Sequence, residues 1–498
     1  MCATCLEGCP GYCEVGKSAF RGSEVIYPQP FGTTTSAAEK EYPLGWAHFN
    51  IMGSVVGAHG IEPDPDKAVF PNVRLEREVG AENKMRVGLP FIIPGLGSTD
   101  VARNNWEGLA AGAALAGVPL TVGENVCGMD EQAVIQDGRV VESPDLRFRV
   151  ESYRRWQRDG LGGIIVQENV EDSRLGVLFY ALEKLHVDAV ELKWGQGAKD
   201  IGGEVKIASL DKARMLRDRG YVVLPDPYDQ AVAEAFERGA FREFERHSRI
   251  GMVSEEAFFE RVEQLRAAGA PRVFLKTGAY RPADLARAVK WSSEARIDLL
   301  TVDCAGGGTG MSPWRMMNEW GVPAIELFAL LYSYAHRLAQ RGEYVPDIAI
   351  AGGFCLEDQV FKGLAFGAPY FKLVAMARAP ITAAMVGKTI GNALQSGNLP
   401  APIKEYGRTI EDIFITAPEL RRMLGDKFDN LPPAAIGVYT YFTRLRQGLQ
   451  QLMCGARKFA LEYLERTDIA ALTPEAARVS GIPYVLDLDA EEVEEILG

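Results

Sequence analysis

The sequence predicts an α/β protein, a (β/α)8 TIM barrel with an N-terminal Cys-rich segment and a C-terminal helical appendage. Three observations predict it. From about residue 46 onward short apolar runs alternate with helical stretches, several of these runs end in glycine-rich turns, and four cysteines crowd the start of the chain. Continuous apolar runs are typical of parallel strands that are covered on both faces. We therefore assign residues 1–45 to the Cys-rich segment, 46–425 to the barrel and 426–498 to a helical extension.

Eight apolar runs are the candidate barrel strands. They are residues 89–95, 120–124, 189–194, 222–225, 273–277, 299–303, 348–352 and 370–376. A ninth run, residues 162–166, competes with them and is interpreted as an inserted strand. Residues 282–294 and 324–341 have the apolar spacing of helices. The charged stretch 228–253 is longer than a usual loop, so we interpret it as a surface helical insertion.

The C-terminal appendage has its own helical pattern. Residues 439–465 form a long amphipathic stretch, and residues 489–495 give an acidic last turn. Thr473-Pro474-Glu475 is typical of a helix start, since Thr caps the first turn and Pro fits its first position. The sequence leaves open whether this appendage packs on the barrel or on another subunit.

The charge balance excludes some classes of partner. The chain has 498 residues, with 54 Lys and Arg, 67 Asp and Glu and a net charge of −13. Nucleic acids and anionic membranes are bound through clustered basic side chains, so neither is expected as a principal partner. The sequence contains no apolar, uncharged run of about 18 residues, and Met1 is not followed by the pattern of an export signal. We expect a cytoplasmic protein.

Four cysteines, Cys2, Cys5, Cys9 and Cys13, are too closely spaced for a disulfide framework. Four thiolates at this spacing can enclose one 4Fe–4S cubane, and the neighbouring glycines and proline allow a tight fold around it. Four-cysteine sites also bind Zn²⁺. We therefore predict a metal site with a 4Fe–4S cluster, and keep zinc and unligated thiols as alternatives.

Three glycine motifs follow predicted strands: GQGAK at residues 195–199 with a glycine pair at 202–203, GGGTGMSP at 306–313, and AGG at 351–353. This order resembles the FMN-binding synthase domain of glutamate synthases, over roughly residues 85–425. In a (β/α)8 barrel, phosphate is commonly held after strands seven and eight. The glycine pair after the seventh strand suits that position, and Arg378 after the eighth adds charge.

The resemblance implies a set of FMN contacts. Lys276 matches a family lysine at the end of strand five, where a cation stabilises the anionic reduced flavin. Lys193 matches another. The cofactor-binding residues implied in this way are Pro94, Gly95, Leu96, Gly97, Ser98, Lys193, Gln196, Lys276, Gly306, Gly307, Gly308, Thr309, Gly310, Gly352, Gly353, Ala377 and Arg378.

For the substrate, the family pattern places a glutamate after strand two, Glu124, and a lysine in GQGAK, Lys199. Both are predicted to be catalytic, and Gln196, Lys199 and Glu204 are predicted to bind substrate. Two departures bear on the substrate. Glu204 stands where the family has a glutamine, and a carboxylate there favours an amine or hydroxyl over a second carboxylate. The His-Asp pair before GGTG is Ala305-Gly306 here.

The function implied is an FMN and iron–sulfur oxidoreductase that reduces an imine, such as 2-iminoglutarate, to an amino acid, or runs the reverse reaction. Family members bind a 3Fe–4S cluster after strand eight, but residues 379–392 contain no cysteine. Ferredoxin or a reductase subunit is the expected donor, with free ammonia or a separate glutaminase subunit as nitrogen source. Another amino or hydroxy acid as substrate, an electron-transfer subunit, and homo-oligomerisation stay open.

Overall fold

The computed structural model describes residues 40–62, 64–195, 205–306 and 313–498. At its centre eight parallel strands close into a barrel. In chain order they are β1 (Phe91–Leu96), β2 (Leu120–Val122), β3 (Ile164–Glu168), β4 (Ala189–Lys193), β5 (Val273–Thr277), β6 (Leu299–Asp303), β7 (Asp347–Ala351) and β8 (Phe371–Ala375). Each strand pairs with the next, and β8 closes the barrel on β1. The predicted fold class is confirmed.

One helix packs outside the barrel after each strand. These helices are α1 (Asp100–Leu115), α2 (Pro144–Arg154), α3 (Val177–Leu185), α4 (Glu255–Ala267), α5 (Pro282–Glu294), α6 (Ala324–Gln340), α7 (Glu357–Phe366) and α8 (Arg378–Ser396). Their caps follow from the sequence. Thr99, for example, accepts a hydrogen bond from the backbone N–H of Ala102, and Pro282 fits the first turn of α5.

The prediction of the third and fourth barrel strands is wrong. The run at 162–166 overlaps the first part of the third barrel strand, β3, which is buried along its whole length and pairs with both β2 and β4. The run at 222–225 lies outside the barrel, in a short strand, Val222–Leu224. Both runs are short and apolar, and such runs do not reveal whether their partners are parallel barrel strands or an antiparallel insertion.

An antiparallel sheet inserted after β4 contains that strand. It consists of Val205–Ile207, Phe244–His247 and Val222–Leu224, with Phe244–His247 in the middle. The stretch 228–253, predicted to be helical, therefore contains one helix, Gln230–Glu237, and one strand. Residues such as Phe244 and Tyr221 are buried in a core of their own beneath this sheet.

The amino ends of the barrel strands are closed. A hairpin of Arg77–Val79 and Met85–Val87 lies under the barrel, and its buried side chains belong to the same cluster as Ile92, Phe274 and Leu299. In the described part of the chain, the end of the barrel left uncovered by this hairpin is the one formed by the carboxyl ends of the strands. None of the described helices combines the length and the apolar character needed to cross a membrane.

The C-terminal appendage packs on the barrel. Its main helix, α9 (Pro433–Gly455), contacts α8 and α1. It begins and ends earlier than the predicted stretch 439–465, because Pro433 starts it and Gly455 ends it. Further on, Ile469–Ala471 pairs antiparallel with Phe49–Ile51 from the start of the described chain. Thr473 caps the helix Pro474–Ser480, as its motif predicts, and the acidic end forms the helix Ala490–Leu497.

Candidate active site

The mouth at the carboxyl ends of the strands contains a cavity of about 870 Å³. It opens beside β7 and β8 and extends between α8 and α9, and residues of β1 and the end of β6 also line it. Active sites of (β/α)8 barrels lie at this end, with phosphate groups commonly bound after strands seven and eight. The cavity is therefore the starting point for assigning the site.

Gly352 and Gly353 follow β7 and line this cavity. Their φ angles are 121° and 76°, in the region that disfavours any residue with a Cβ atom. A Cβ on Gly352 would lie 1.9 Å from Sγ of Cys304, whereas a Cβ on Gly353 would meet no atom within 4 Å. The glycine pair thus presents bare backbone toward the cavity.

The amino end of α8 also meets the cavity. Its N-cap, Ala377, contributes no side-chain cap, so its first N–H groups are left for a ligand or water. Ala377 and Arg378 line the cavity with the glycine pair, as the sequence predicts, and so does Arg444 of α9, which donates a hydrogen bond to Glu357 at 3.2 Å. A helix N-terminus, glycine backbone and two guanidinium groups suit a phosphate monoester. Arg444 was missed because nothing in the sequence places α9 beside α8.

Two ion pairs lie at the centre of the mouth. Lys193 of β4 and Lys276 of β5 are directly opposite each other. The Nζ atom of Lys193 lies 2.6 Å from Oε1 of Glu124, in the loop after β2, and Nζ of Lys276 lies 3.5 Å from Oδ2 of Asp303 at the end of β6. Like charges facing each other across strands are destabilising, so each carboxylate offsets one ammonium group. Asp303 was not among the predicted residues.

These charges set the ionisation of Glu124. Burial alone would raise the pKa of its carboxyl, but the Lys193 ammonium, with help from Lys276, outweighs burial and holds that pKa below its ordinary value. Glu124 is therefore a carboxylate at neutral pH. A carboxylate can accept a hydrogen bond or a proton from a substrate nitrogen.

The loop that carries Glu124 is held by a buried network. Asn125 has a left-handed backbone (φ 64°), and its N–H donates to Oδ2 of Asp172 at 2.8 Å. Tyr221, from the inserted sheet, donates its hydroxyl proton to Oδ1 of Asn125 at 3.2 Å. Burial, with the charge of Glu124 nearby, raises the pKa of Asp172 to about 7. The insertion thus contacts the residue next to Glu124.

A layer of buried polar side chains lies deeper inside the barrel than Lys193 and Lys276. Gln167 of β3 and Glu191 of β4 are cross-strand partners, both buried, and Nε2 of Gln167 donates to Oε1 of Glu191. The hydroxyls of Thr121 and Thr301, also buried, have no partner among the described residues. Sequence reasoning missed this layer. Its signal was available, because side chains two apart on a barrel strand share a face, so Glu191 must point inward if Lys193 does.

The loop after β1 lies where the resemblance implies. Pro94 and Leu96 line the cavity, and Gly95 lies against Gln167. A Cβ on Gly97 would lie 2.5 Å from the carbonyl oxygen of Glu124, so this loop packs closely on the loop after β2. Ser98 directly precedes the N-cap of α1.

Part of the predicted site lies outside the described residues. Gly306 follows β6 at the mouth, but the remaining predicted positions of the two longer glycine motifs and the cysteine site cannot be placed. They are Gln196, Lys199, Glu204, Gly307, Gly308, Thr309, Gly310, Cys2, Cys5, Cys9 and Cys13. Within the described ranges no group of three His, Cys, Asp or Glu is arranged to bind a metal ion. No disulfide joins the described cysteines, which are Cys127, Cys304, Cys355 and Cys454.

Residues 246–387 match the family model described as the conserved region in glutamate synthase. The glutamate synthase-like resemblance is confirmed. The matched segment contains β5 to β8, including Lys276, Asp303 and the glycine pair. It supports the flavin-dependent oxidoreductase that the resemblance implies.

Solved structures of two other proteins are similar to this chain over most of its length. A double-mutant flavocytochrome b2 with pyruvate bound is 14% identical, covers 92% of this chain and 85% of its own, and superposes with a TM-score of 0.50. A mandelate oxidase mutant with a monooxide FMN adduct is 12% identical, with 84% and 87% covered and a TM-score of 0.44. At this identity the likeness to flavocytochrome b2 shows the fold alone. No curated protein sequence matches the chain significantly.

The residues of the mouth fit an FMN cofactor. Oε1 of Gln167 is buried without a hydrogen-bond partner among the described residues, and it lies beside Gly95. Buried polar atoms are seldom left unpaired, so this oxygen fits a ligand with an N–H group. The glycine pair after β7 and the amino end of α8 suit the phosphate of such a cofactor. The Lys276 ammonium suits the negative charge of its reduced ring.

Proposed function

We propose that the protein is an FMN-dependent oxidoreductase that reduces an imine of the 2-iminoglutarate class to an amino acid, or oxidises the amino acid. The observation that carries the proposal is the pair of lysines at the mouth, each in an ion pair with its own carboxylate. They lie beside the phosphate-binding groups formed by the glycine pair after β7 and the amino end of α8. The proposal also draws on the glutamate synthase match over residues 246–387.

In this proposal the cofactor supplies the hydride, and the chain binds and orients both partners. Gly352, Gly353, Arg378 and Arg444 hold the phosphate, while Lys276 offsets negative charge on the reduced ring. Burial keeps bulk water away from Lys193 and Lys276, and this strengthens their electrostatic contacts. The described residues therefore provide a charged, partly enclosed floor for the reaction.

Glu124 and Lys193 act on the substrate in this proposal. A substrate carboxylate entering the mouth is attracted to the Lys193 ammonium, in competition with Glu124. The Glu124 carboxylate holds the protonated imine nitrogen by a hydrogen bond. In the reverse direction it accepts a proton from the substrate ammonium group, which leaves the neutral amine from which hydride is taken. Lys199, Gln196 and Glu204 remain proposed substrate contacts on the strength of the resemblance.

Electrons are proposed to arrive through a 4Fe–4S cluster at Cys2, Cys5, Cys9 and Cys13, with zinc as the alternative occupant. The described chain begins beside the segment that follows β6: the N–H of Lys40 donates to Oδ1 of Asn318 at 3.1 Å, a few residues beyond the GGTG motif. Ferredoxin or a reductase subunit is the proposed donor. Free ammonia or a separate glutaminase subunit is the proposed nitrogen source.

A second candidate keeps the cofactor and changes the substrate to another amino or hydroxy acid. The observation in its favour is the charge of the mouth. Three carboxyl groups, the half-buried Glu124 and Asp303 and the buried Glu191, accompany two lysines, so the described floor has more acidic than basic groups. Such a floor favours an amine or hydroxyl over an additional carboxylate.

An absorption spectrum and a reoxidation experiment on anaerobically purified protein test both candidate functions. We expect flavin bands near 375 and 450 nm with a broad shoulder toward 400 nm, as is general for flavins and iron–sulfur clusters. The reduced protein is then mixed with 2-oxoglutarate and ammonium. Prompt reoxidation supports the first candidate, and reoxidation only by other oxo or imino acids supports the second. A protein that binds no flavin after reconstitution contradicts both.

A further inference from the structure

The cross-strand pair of Gln167 and Glu191 has an orientation that its surroundings determine. Gln167 is 1% exposed and Glu191 is also 1% exposed, so neither side chain has water to satisfy it. Nε2 of Gln167 donates to Oε1 of Glu191. An ionised carboxylate only accepts hydrogen bonds, so it fixes the amide with the NH2 end turned inward.

The carbonyl end of the same amide lies against the loop after β1, whose Pro94 and Leu96 line the cavity. A Cβ atom on Gly95 would lie 2.7 Å from Oε1 of Gln167, so this oxygen lies against the bare backbone of the loop after β1. It has no hydrogen-bond partner among the described residues. This buried oxygen is therefore an unpaired acceptor beside the loop after β1, and it keeps this orientation because the opposite end of the amide is held.

Among the described residues, Glu191 forms no ion pair that would explain its burial. Nζ of Lys276 makes its ion pair with Asp303, at 3.5 Å, and Nζ of Lys193 makes its pair with Glu124, at 2.6 Å. Burial raises the pKa of Glu191, with Lys276 and the Gln167 amide opposing that rise. Burying a carboxyl group costs free energy, so the hydrogen bond between Glu191 and Gln167 suggests that this buried group has a function.

We propose that Glu191 is a positioning residue for the flavin: it turns the amide of Gln167 so that the carbonyl oxygen, and not the NH2 group, faces the cofactor ring. The oxygen then accepts a hydrogen bond from a ring N–H. This inference rests on the proposed function, because it requires FMN in the mouth. It assigns a role to two residues that the sequence analysis did not single out.

The variant Glu191→Gln tests the proposal, because a second amide can donate to Gln167 and allow it to turn. Protein reconstituted with FMN is measured at neutral and at alkaline pH, because burial raises the pKa of the Glu191 carboxyl. We expect the dissociation constant for FMN to rise about fivefold to tenfold, the loss of one hydrogen bond. We also expect the midpoint potential of the flavin to rise, since a donor beneath the ring favours its anionic reduced form.

A double-mutant cycle with Gln167→Leu separates positioning from a direct effect of charge. If Glu191 acts through the amide, Glu191→Gln has little further effect on affinity or potential once Gln167 is leucine. Glu168→Gln is the matched control. Glu168 follows Gln167 in β3, is equally buried, and pairs with Arg261 on the outside of the barrel at 2.7 and 2.8 Å. Glu168→Gln should lower the stability of the protein and leave the dissociation constant for FMN and the midpoint potential of the flavin unchanged.

Four outcomes decide the matter. Wild-type affinity and potential in Glu191→Gln overturn the inference, and so does an undiminished effect of this change in the Gln167→Leu background. If Glu191→Gln does not fold, the exchange variant Gln167→Glu with Glu191→Gln is measured instead. It places a carboxylate beside Gly95 and should lower the potential, and an unchanged potential overturns the inference. A wild-type protein that never binds FMN overturns the proposed function, and the inference with it.

Discussion

Individual charged residues at the barrel mouth act in pairs. Glu124 stays ionised because Lys193 and Lys276 outweigh the cost of its burial, whereas Asp172, buried nearby without a cation in contact, has a pKa raised to about 7. Two carboxyl groups close together therefore have opposite shifts. Such divergence is a common property of sites that move protons.

Replacement of Glu124 by Gln tests its role in the reaction. The amide keeps the shape of the side chain and removes the proton acceptor, so the rate of flavin reoxidation by the imine substrate should fall about 10²- to 10⁴-fold. FMN affinity should change little, because Glu124 does not line the phosphate cavity. Stopped-flow reoxidation and a flavin titration measure the two effects. An unchanged rate would contradict the assignment.

Asp172 gives a prediction for stability against pH. Its folded-state pKa of about 7 lies above the unfolded value of about 3.8, so the folded protein retains a proton that the unfolded chain has lost. Stability contributed by this proton is present at low pH and is lost as pH rises toward 7. The difference of about three pKa units corresponds to at most about 4 kcal/mol. Denaturant unfolding between pH 4 and 8 measures this loss.

Asp172→Asn is the comparison for that experiment. The amide still accepts the hydrogen bond from Asn125, and it does not titrate. The variant should therefore lose less stability between pH 4 and 7 than the wild type does. Parallel pH profiles for the two proteins would show that Asp172 has an ordinary pKa.

At the scale of elements, the sequence predicts the barrel well wherever a run is flanked by a clear helix. Seven of the eight barrel strands coincide with predicted runs, and α5 has the predicted bounds. The exchange of β3 with Val222–Leu224 has a physical cause, since both runs are short and β-branched and their partners lie far away in sequence. Gln167 was missed together with β3, because a strand left outside the barrel contributes no inward side chains. Glu191 lies on a strand that was predicted, and its spacing from Lys193 already indicated that it points inward.

The inserted sheet should stabilise the loop of Glu124. Tyr221→Phe removes the hydroxyl that bonds Asn125 and should cost about 1 kcal/mol, with faster hydrogen exchange in residues 123–129. Tyr228→Phe is the control, because Tyr228 is exposed and bonds Asp218 within the insertion. Equal exchange in the two variants would mean that the insertion does not support this loop.

On the scale of the whole molecule, the barrel and the C-terminal appendage share one core. Leu445 and Leu449 of α9 are fully buried in the same cluster as Phe91 of β1 and Trp106 of α1. The strand pairing of Ile469–Ala471 with Phe49–Ile51 ties the end of the chain to the start of its described part. The division at residue 425 is therefore useful for describing the sequence, but the two parts pack as one body.

That shared core predicts cooperative unfolding. Leu445→Ala should destabilise the barrel and the appendage together by about 2–5 kcal/mol, the usual cost of a buried leucine. Leu486→Ala is the control, since Leu486 is 78% exposed. Calorimetry should show one transition at a lower temperature for Leu445→Ala and an unchanged one for Leu486→Ala. A separate early transition would mean that the appendage unfolds independently.

The proposed function requires the mouth of the barrel to bind FMN, with the phosphate after β7 and β8 and the ring over Lys193 and Lys276. A crystal structure of the protein soaked with or purified with FMN tests it most directly. We predict phosphate density at Gly352, Gly353 and the amino end of α8, with the ring between the loop after β1 and Lys276. An empty mouth at saturating FMN, or phosphate bound elsewhere, would contradict the account.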